Sequence, residues 1–450
     1  MMGGRDMKVR RIMAMSVFAG ILYGFGVGTV VAVAMPYLEK TVAFSAAQLS
    51  SLVAAALFGS VIATPLSGPF VEWVGRKRAI VLSGLAFAAG TPFVCLSGGA
   101  YGLLFAGLLL QGVAMSAVAV AVPLYLAEAL PVDMRGKGST IFQLCIIGGI
   151  LLSGLLGLAA AGLFGPADAA ETALATKAYA WKFLFAVEAV PAVALLAVGL
   201  FLDESPYWLK RGEWKASPSA ADSVVAPAPA ADSLWQRKYL VPFCLVVAIL
   251  ACTQGIGINS VLGYSVTIFQ KAGLSGTFAN WADFAFKAVM FVMTALACAL
   301  VDTRGRRFLM LIGTTGVLLG LVCATASFLA LDCGLLRPSP VSGLIVAAGV
   351  TIFVASFAIG PGACTWILPT ELLPGRIRAT GMGVALLFDY LISTGFQATL
   401  LPIVERVGYG VLFAIFSGFG LAYVLVVGLL LPETKGKTLE EIELTWTRKN

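Results

Sequence analysis

The sequence predicts an all-α polytopic membrane protein with twelve membrane-spanning helices in two six-helix pseudo-repeat bundles. Three observations carry this. Of 450 residues, 59% are hydrophobic and only 12% charged, with a mean hydropathy of +0.95. The apolar residues gather into twelve runs of about twenty, the length that spans a bilayer. Motifs in the first half return in the second.

The runs are centred near residues 23, 59, 88, 113, 152, 193, 253, 291, 320, 355, 392 and 420. The first follows Arg5, Lys8, Arg10 and Arg11, as a signal peptide would. Its apolar core, Ile12 to Met35, exceeds the roughly 7–15 residues of a signal h-region, so it reads as a retained span. An even number of spans puts both termini on one side. Of the 30 Lys and Arg, Lys40, Lys177, Lys182, Lys271, Arg337 and Arg406 then fall on the far side, and Lys287 falls inside a span. The other 23 share the side of the termini. The positive-inside rule makes that side the cytoplasm. The net charge of +7 therefore reports orientation and calls for no nucleic-acid partner.

Residues 203–238 hold the longest polar stretch, and Lys215–Ser233 is rich in Ala, Pro and Ser, as mobile linkers are. The expected organisation is an N-terminal bundle over 1–202, a cytoplasmic linker with short helices over 203–238, a C-terminal bundle over 239–431 and a tail over 432–450. VEWVGRKR (Val71–Arg78) after span 2 is echoed by VDTRGRRF (Val301–Phe308) after span 8. YLAEALPVDMRG (Tyr125–Gly136) after span 4 is echoed by LPTELLPGRIRATG (Leu368–Gly381) after span 10. Parallel repeats of six spans are a transporter architecture, with the site between the halves near the membrane midplane.

Span 7 supplies candidates for that site. CTQGIGINSVLGYSVTIFQKAG (Cys252–Gly273) places Gln254 and Asn259 among Gly255, Gly257 and Gly263 inside an apolar run. Polar side chains and glycines coincide there where a helix borders a water-filled cavity. Each amide has two N–H donors and a carbonyl acceptor, which suits a polyhydroxyl solute. On the terminal face, Glu72, Glu128 and Glu204 of one half, and Asp302, Glu371 and Glu433 of the other, lie near Arg76, Arg135, Arg306, Arg307 and Arg378. Such charges can form a latch that closes and opens as the halves rock, or can simply anchor the helices. The eight cysteines read as small buried hydrophobes. Histidine is absent, and no metal-ligand spacing, nucleophile or phosphate loop appears, so neither an enzyme nor a cofactor is expected. No far-side loop holds an N-x-S/T acceptor.

Together these stretches resemble the sugar porter family of the major facilitator superfamily, over essentially all twelve spans. VEWVGRKR, PLYLAEALPVDMRG, LDESPYWL (Leu202–Leu209), QGIGINSVLGYS (Gln254–Ser265), VDTRGRR, GPGACTWILPTELLPGRIR (Gly360–Arg378) and PETKGKTLEEI (Pro432–Ile442) carry the likeness. The resemblance implies the major facilitator fold and monosaccharide transport, a hexose first among solutes. Gln143, Gln254, Asn259 and Trp366 would contact the sugar, with Thr253, Asp389, Ile146, Ile150 and Phe357 around it. Amides can bond neighbouring hydroxyls, and an aromatic face can cover a pyranose C–H face.

Departures from the family pattern are equally informative. The span 1 aspartate and span 4 arginine of proton-coupled members are Gly26 and Leu108 here, which favours facilitated diffusion. Thr253, Met290 and Ala358 stand in place of a glutamine, an asparagine and a glutamate. Ala363 and Thr365 replace the prolines of span 10, so that helix is expected to hinge less readily. An Asn-Trp pair becomes Asp389 and Tyr390. One of two outer-gate tyrosines is Gly263, leaving Tyr264, so a looser gate is expected. Lys287 has three readings: it snorkels outward and pairs with Asp283, it pairs with Asp389 across the second half, or it stands aside while Asp389 titrates alone, reviving proton coupling. A monomer in the lipid bilayer, of the plasma membrane with both termini cytoplasmic, should suffice. The alternatives are a proton-coupled symporter of a sugar or of a polyol such as inositol, using Asp389, and a sugar sensor, although sensors usually carry a sizeable cytoplasmic extension.

Overall fold

A computed structural model describes residues 2–130, 135–169, 172–206, 208–209, 236–365, 367–374, 378–435 and 441–442. These are helical almost throughout. The first six long helices are α1 (Met7–Thr41), α2 (Ala46–Val74), α3 (Arg76–Cys95), α4 (Tyr101–Ala129), α5 (Arg135–Phe164) and α6 (Leu174–Leu200). The second set begins with α7 (Arg237–Lys271), α8 (Gly276–Arg304), α9 (Arg306–Asp332) and α10, which starts as Pro340–Ile359.

The last helix runs unbroken by hydrogen-bond pattern over Arg378–Leu430, 53 residues. At 1.5 Å per residue that is about 80 Å, more than twice a ~30 Å hydrocarbon core. Gly408 divides it, with φ 81° in the left-handed region that side chains avoid. Asp332, at the end of α9, accepts from the Gly410 amide at 2.8 Å and caps the second piece. The stretch is therefore two spans, α11 (378–407) and α12 (409–430), and among the described residues eleven continuous apolar helices make twelve crossings.

Helices α1–α6 pack chiefly on one another, as do α7–α12, and the sets meet where α2 packs on α11, α5 on α8 and α1 on α7. Two bonds across this seam lie toward the face opposite the termini. Ser50 Oγ accepts from the Leu401 amide at 3.1 Å. Asp168, after α5, accepts from the Gly276 amide at 2.9 Å, at the start of α8.

The sequence echo is an echo of structure. Each half turns from one helix to the next through a glycine, Gly75 (φ 100°) or Gly305 (φ 95°). Arg76 then bonds Glu128 through Nε (3.1 Å) and Nη2 (3.0 Å), and Arg306 pairs with Glu371 at 3.3 Å. Glu204 accepts from the Lys77 amide at 3.0 Å, as Glu433 accepts from the Arg306 and Arg307 amides at 3.1 and 3.2 Å. The next residues repeat too: Ser205 donates to Glu128 and Thr434 to Glu371. Carboxylates at helix N-termini satisfy otherwise unpaired amides and face the favourable end of the dipole.

The Arg76–Glu128 and Arg306–Glu371 pairs thus each join helices of one half. Arg76, Glu128, Arg306 and Glu371, four of the charges expected to form a latch, hold contacts within their own halves. The side chains of Arg135, Asp302 and Arg378 lie outside the described residues, as do linker residues 210–235. Of the cysteines, Cys252 and Cys364 are buried while Cys244, Cys323 and Cys333 are exposed. Burial as small hydrophobes therefore holds for only part of the set.

Candidate functional site

The central cavity lies between the two sets of helices. From α1, α4 and α5 it is lined by Tyr23, Met115, Gln143, Ile146 and Ile150. From the second set come Thr253, Gln254, Asn259, Phe357, Asp389 and Tyr390. Nearly all of the expected solute contacts meet at this one place. Trp366 lies outside the described residues.

The geometry starts in the backbone of α7. Gly257 takes φ 76° and ends the segment Arg237–Gly255, and Ile258–Lys271 begins a new one. No side chain would fit, since a Cβ at 257 would meet the Phe416 ring of α12 at 2.4 Å. The break separates Gln254 and Asn259 by a helix end, yet leaves them bonded: Asn259 Nδ2 donates to Gln254 Oε1 at 3.0 Å. Gln254 Nε2 in turn donates to Asp389 Oδ2 at 3.0 Å.

On the facing α11, residues 389, 393 and 397 recur every four positions and so share one face. Asn259 Nδ2 also donates to Ser393 Oγ at 2.9 Å, and Gln397 Nε2 donates to the Asn259 carbonyl at 2.8 Å. Two amides and a carboxylate are thereby held in one orientation, while Gln143 approaches from the other half. Asp389 is only 7% exposed, and its Oδ1 has no partner among the described residues. Thr253 is turned toward α12, sharing a 2.7 Å hydroxyl bond with Tyr423.

Sequence reasoning missed Tyr23, whose hydroxyl is 2.9 Å from that of Tyr390, a buried bond between the halves. It also missed Ser393 and Gln397, although their four-residue spacing from Asp389 was a readable signal.

Where proton-coupled porters carry an acid, Gly26 abuts Met115: a Cβ at 26 would lie 2.2 Å from its sulfur. The space for an acid is filled by a thioether. Gly263 is closed off similarly, with a Cβ position 3.1 Å from Val53 of α2 and 3.5 Å from Gln397. Tyr264 beside it is 1% exposed and donates to the Gln397 carbonyl at 3.1 Å. Val53 and Gln397 therefore border the position where the missing ring would start. Helix α10 still breaks despite its lost prolines, at Gly360 (φ −112°, ψ −88°) before the short helices Pro361–Cys364 and Ile367–Leu372. Lys287 does not snorkel outward and does not reach Asp389; it is fully buried and paired with Asp283 at 2.8 Å.

Apolar helices of membrane-spanning length around a central, largely apolar cavity that holds Gln143, Gln254, Asn259 and Asp389 define a membrane transporter. The family profile described as "Sugar (and other) transporter" matches residues 12–446, and the chain belongs to that family. Sugar transporter ERD6-like 6 of Arabidopsis thaliana is 30% identical over 419 residues, covering 86% of this chain and 80% of the relative. Glucose transporter GlcP of Staphylococcus epidermidis is 28% identical over 451 residues, covering 96% of each. Among solved structures, a D-xylose–proton symporter superposes with a TM-score of 0.77 at 23% identity, covering 96% of this chain and 100% of that one. At that identity the likeness shows the major facilitator fold.

Proposed function

We propose that this chain carries a monosaccharide, a hexose first among candidates, by facilitated diffusion. Its halves (1–202 and 239–431) rock about the central cavity, exposing it to one side of the plasma membrane at a time, and one monomer suffices. The carrying observation is the cavity itself, where Gln143 faces the bonded set of Gln254, Asn259 and Asp389 across the two halves. These groups bond hydroxyls as donors and acceptors, while Ile146, Ile150 and Phe357 offer apolar surface to C–H groups. The hexose assignment leans on the Staphylococcus relative, which is named for glucose. With both termini cytoplasmic, the bonds from Ser50 and Asp168 close the outer side, Gly263 and Tyr264 form the outer gate, and the Glu and Arg clusters steady the inner ends.

Facilitated diffusion is favoured by Gly26 and the sulfur packed on it. In proteoliposomes, initial D-glucose entry should be unchanged when an imposed proton gradient is collapsed; a large fall would overturn the reading. One observation favours a second reading: Asp389 is buried beside the cavity with a single amide partner. A carboxylate so placed can carry a proton with the solute, as a symporter requires. Accumulation against a gradient that survives Asp389→Asn would remove it.

A further inference from the structure

Away from the cavity, α8 carries a fully buried ion pair. Asp283 and Lys287 are each 0% exposed, one turn apart, with Nζ 2.8 Å from Oδ2. Buried charges cost more than apolar residues of the same size unless they organise something. A pair that served α8 alone would need only its i,i+4 contact. This one has an arm on each side.

Asp283 Oδ1 accepts from Ser265 Oγ at 2.5 Å, on the Ile258–Lys271 segment of α7. Lys287 Nζ donates to Ser153 Oγ at 3.2 Å, on α5 of the other half. The Ser153 proton is already directed to the Ile150 carbonyl at 2.7 Å, so its oxygen is left to accept from the lysine. Gly154 permits the approach: a Cβ there would lie 3.1 Å from the Phe284 Cα and 3.3 Å from both Asp283 Oδ2 and Lys287 Cδ. Two turns nearer the start of α8, the Gly276 amide reaches Asp168 on the same side of the seam. Positions 276, 283 and 287 share one face of α8, which is docked on α5 and the loop after it.

We propose that Asp283 and Lys287 form a two-armed clasp, in which Asp283 holds the gate segment of α7 and Lys287 holds α5 of the opposite half. The gate and the seam then close, and open, as one event. This rests on the alternating-access reading above. Asp283 and Lys287 are positioning residues: neither lines the cavity. Charge matters because hydrogen bonds from or to ions are roughly twice as strong as neutral ones, so each arm can hold a moving element through one contact.

Amide hydrogen exchange of the purified full chain tests this without a solute. Ser153→Ala, on α5, should raise exchange about three- to tenfold in Ile258–Lys271, which Ser153 does not touch. Ser265→Ala, on α7, should do the same in the α5 stretch around 153, and Ser153→Thr should restore the ordinary rates. Removing one charge alone could unfold the chain, so the neutral double variant Asp283→Asn with Lys287→Met is the second probe, and it should loosen both stretches together. Changes confined to the substituted helix and its direct partner, or a neutral double variant with ordinary exchange in both stretches, would overturn the clasp. D-glucose entry measured on the same preparations bears on the transport reading alone, so the two ideas fail separately.

Discussion

Replacing Asn259 by alanine removes one amide that holds two helices in register. Its Nδ2 donates to Gln254 Oε1 at 3.0 Å and to Ser393 Oγ at 2.9 Å, both partly buried. Each lost bond is worth about 0.6–1.5 kcal/mol between helices in a membrane protein. Together that is about 1.2–3 kcal/mol of organisation around the cavity, or about 10- to 100-fold in solute affinity if all of it is expressed there. Zero-trans entry of radiolabelled D-glucose into proteoliposomes should show KM raised within that range, with Vmax less affected. Combining Asn259→Ala with Ser393→Ala should cost less than the sum of the two, because they share a bond. A KM within twofold of the parent, in a chain that keeps its thermal stability, would refute the view that this amide set forms the solute site.

Other outcomes follow from the same geometry. Gly257→Val should lower the midpoint of thermal unfolding in detergent, since the left-handed backbone costs about 1–2 kcal/mol and displacing the Phe416 ring about 1–3 more; an unchanged midpoint would show that the α7 break tolerates a side chain. Arg76→Ala should destabilise by about 3–5 kcal/mol, because it strands Glu128 in a mostly buried pair. Lys8→Ala should change little, about 0–1 kcal/mol, because Lys8 and Asp203 are 58% and 65% exposed. Lys8 holds the Asp203 carboxyl below its ordinary value, so the small stabilisation is present at neutral pH and lost as pH falls through the folded value. Comparing the two variants' unfolding midpoints from pH 7 downward checks both. Gly26→Asp is expected to reduce entry without creating proton-driven accumulation, and Met115→Ala in the same chain should restore entry; no recovery would mean that Met115 is not the obstruction.

Spans were legible because each must satisfy its own backbone and present about twenty apolar residues to lipid. The span 11 and 12 junction was less so: nothing in VERVGYG announces a turn one residue long, which needs Gly408 at positive φ and a cap from distant Asp332. Gln254 and Asn259 stood out because polar groups in an apolar run are costly. Their partners required knowing which face of α11 meets α7. Charges near arginines were visible in the loops on the face of the termini, but the choice between pairing within a half and across halves depends on angstrom-scale approach. Lys287 shows the same limit. Its i,i+4 relation to Asp283 is a property of sequence, whereas Ser153 becomes its partner, and Ser265 that of Asp283, only when three helices pack.

Met115 has a consequence for descent. Glycine and aspartate codons differ by one base, so an acid at position 26 is a short mutational step. An aspartate arriving there meets a sulfur where its own Cβ must go, so the Met115 side chain, which also lines the cavity, must shift to admit it. The arginine that would stabilise the acid is also absent, with Leu108 in its place. An acid with a partner arginine therefore takes substitutions at both 26 and 108 and a shift of the Met115 side chain. A single substitution at position 26 therefore supplies neither the room nor the partner that such an acid would need.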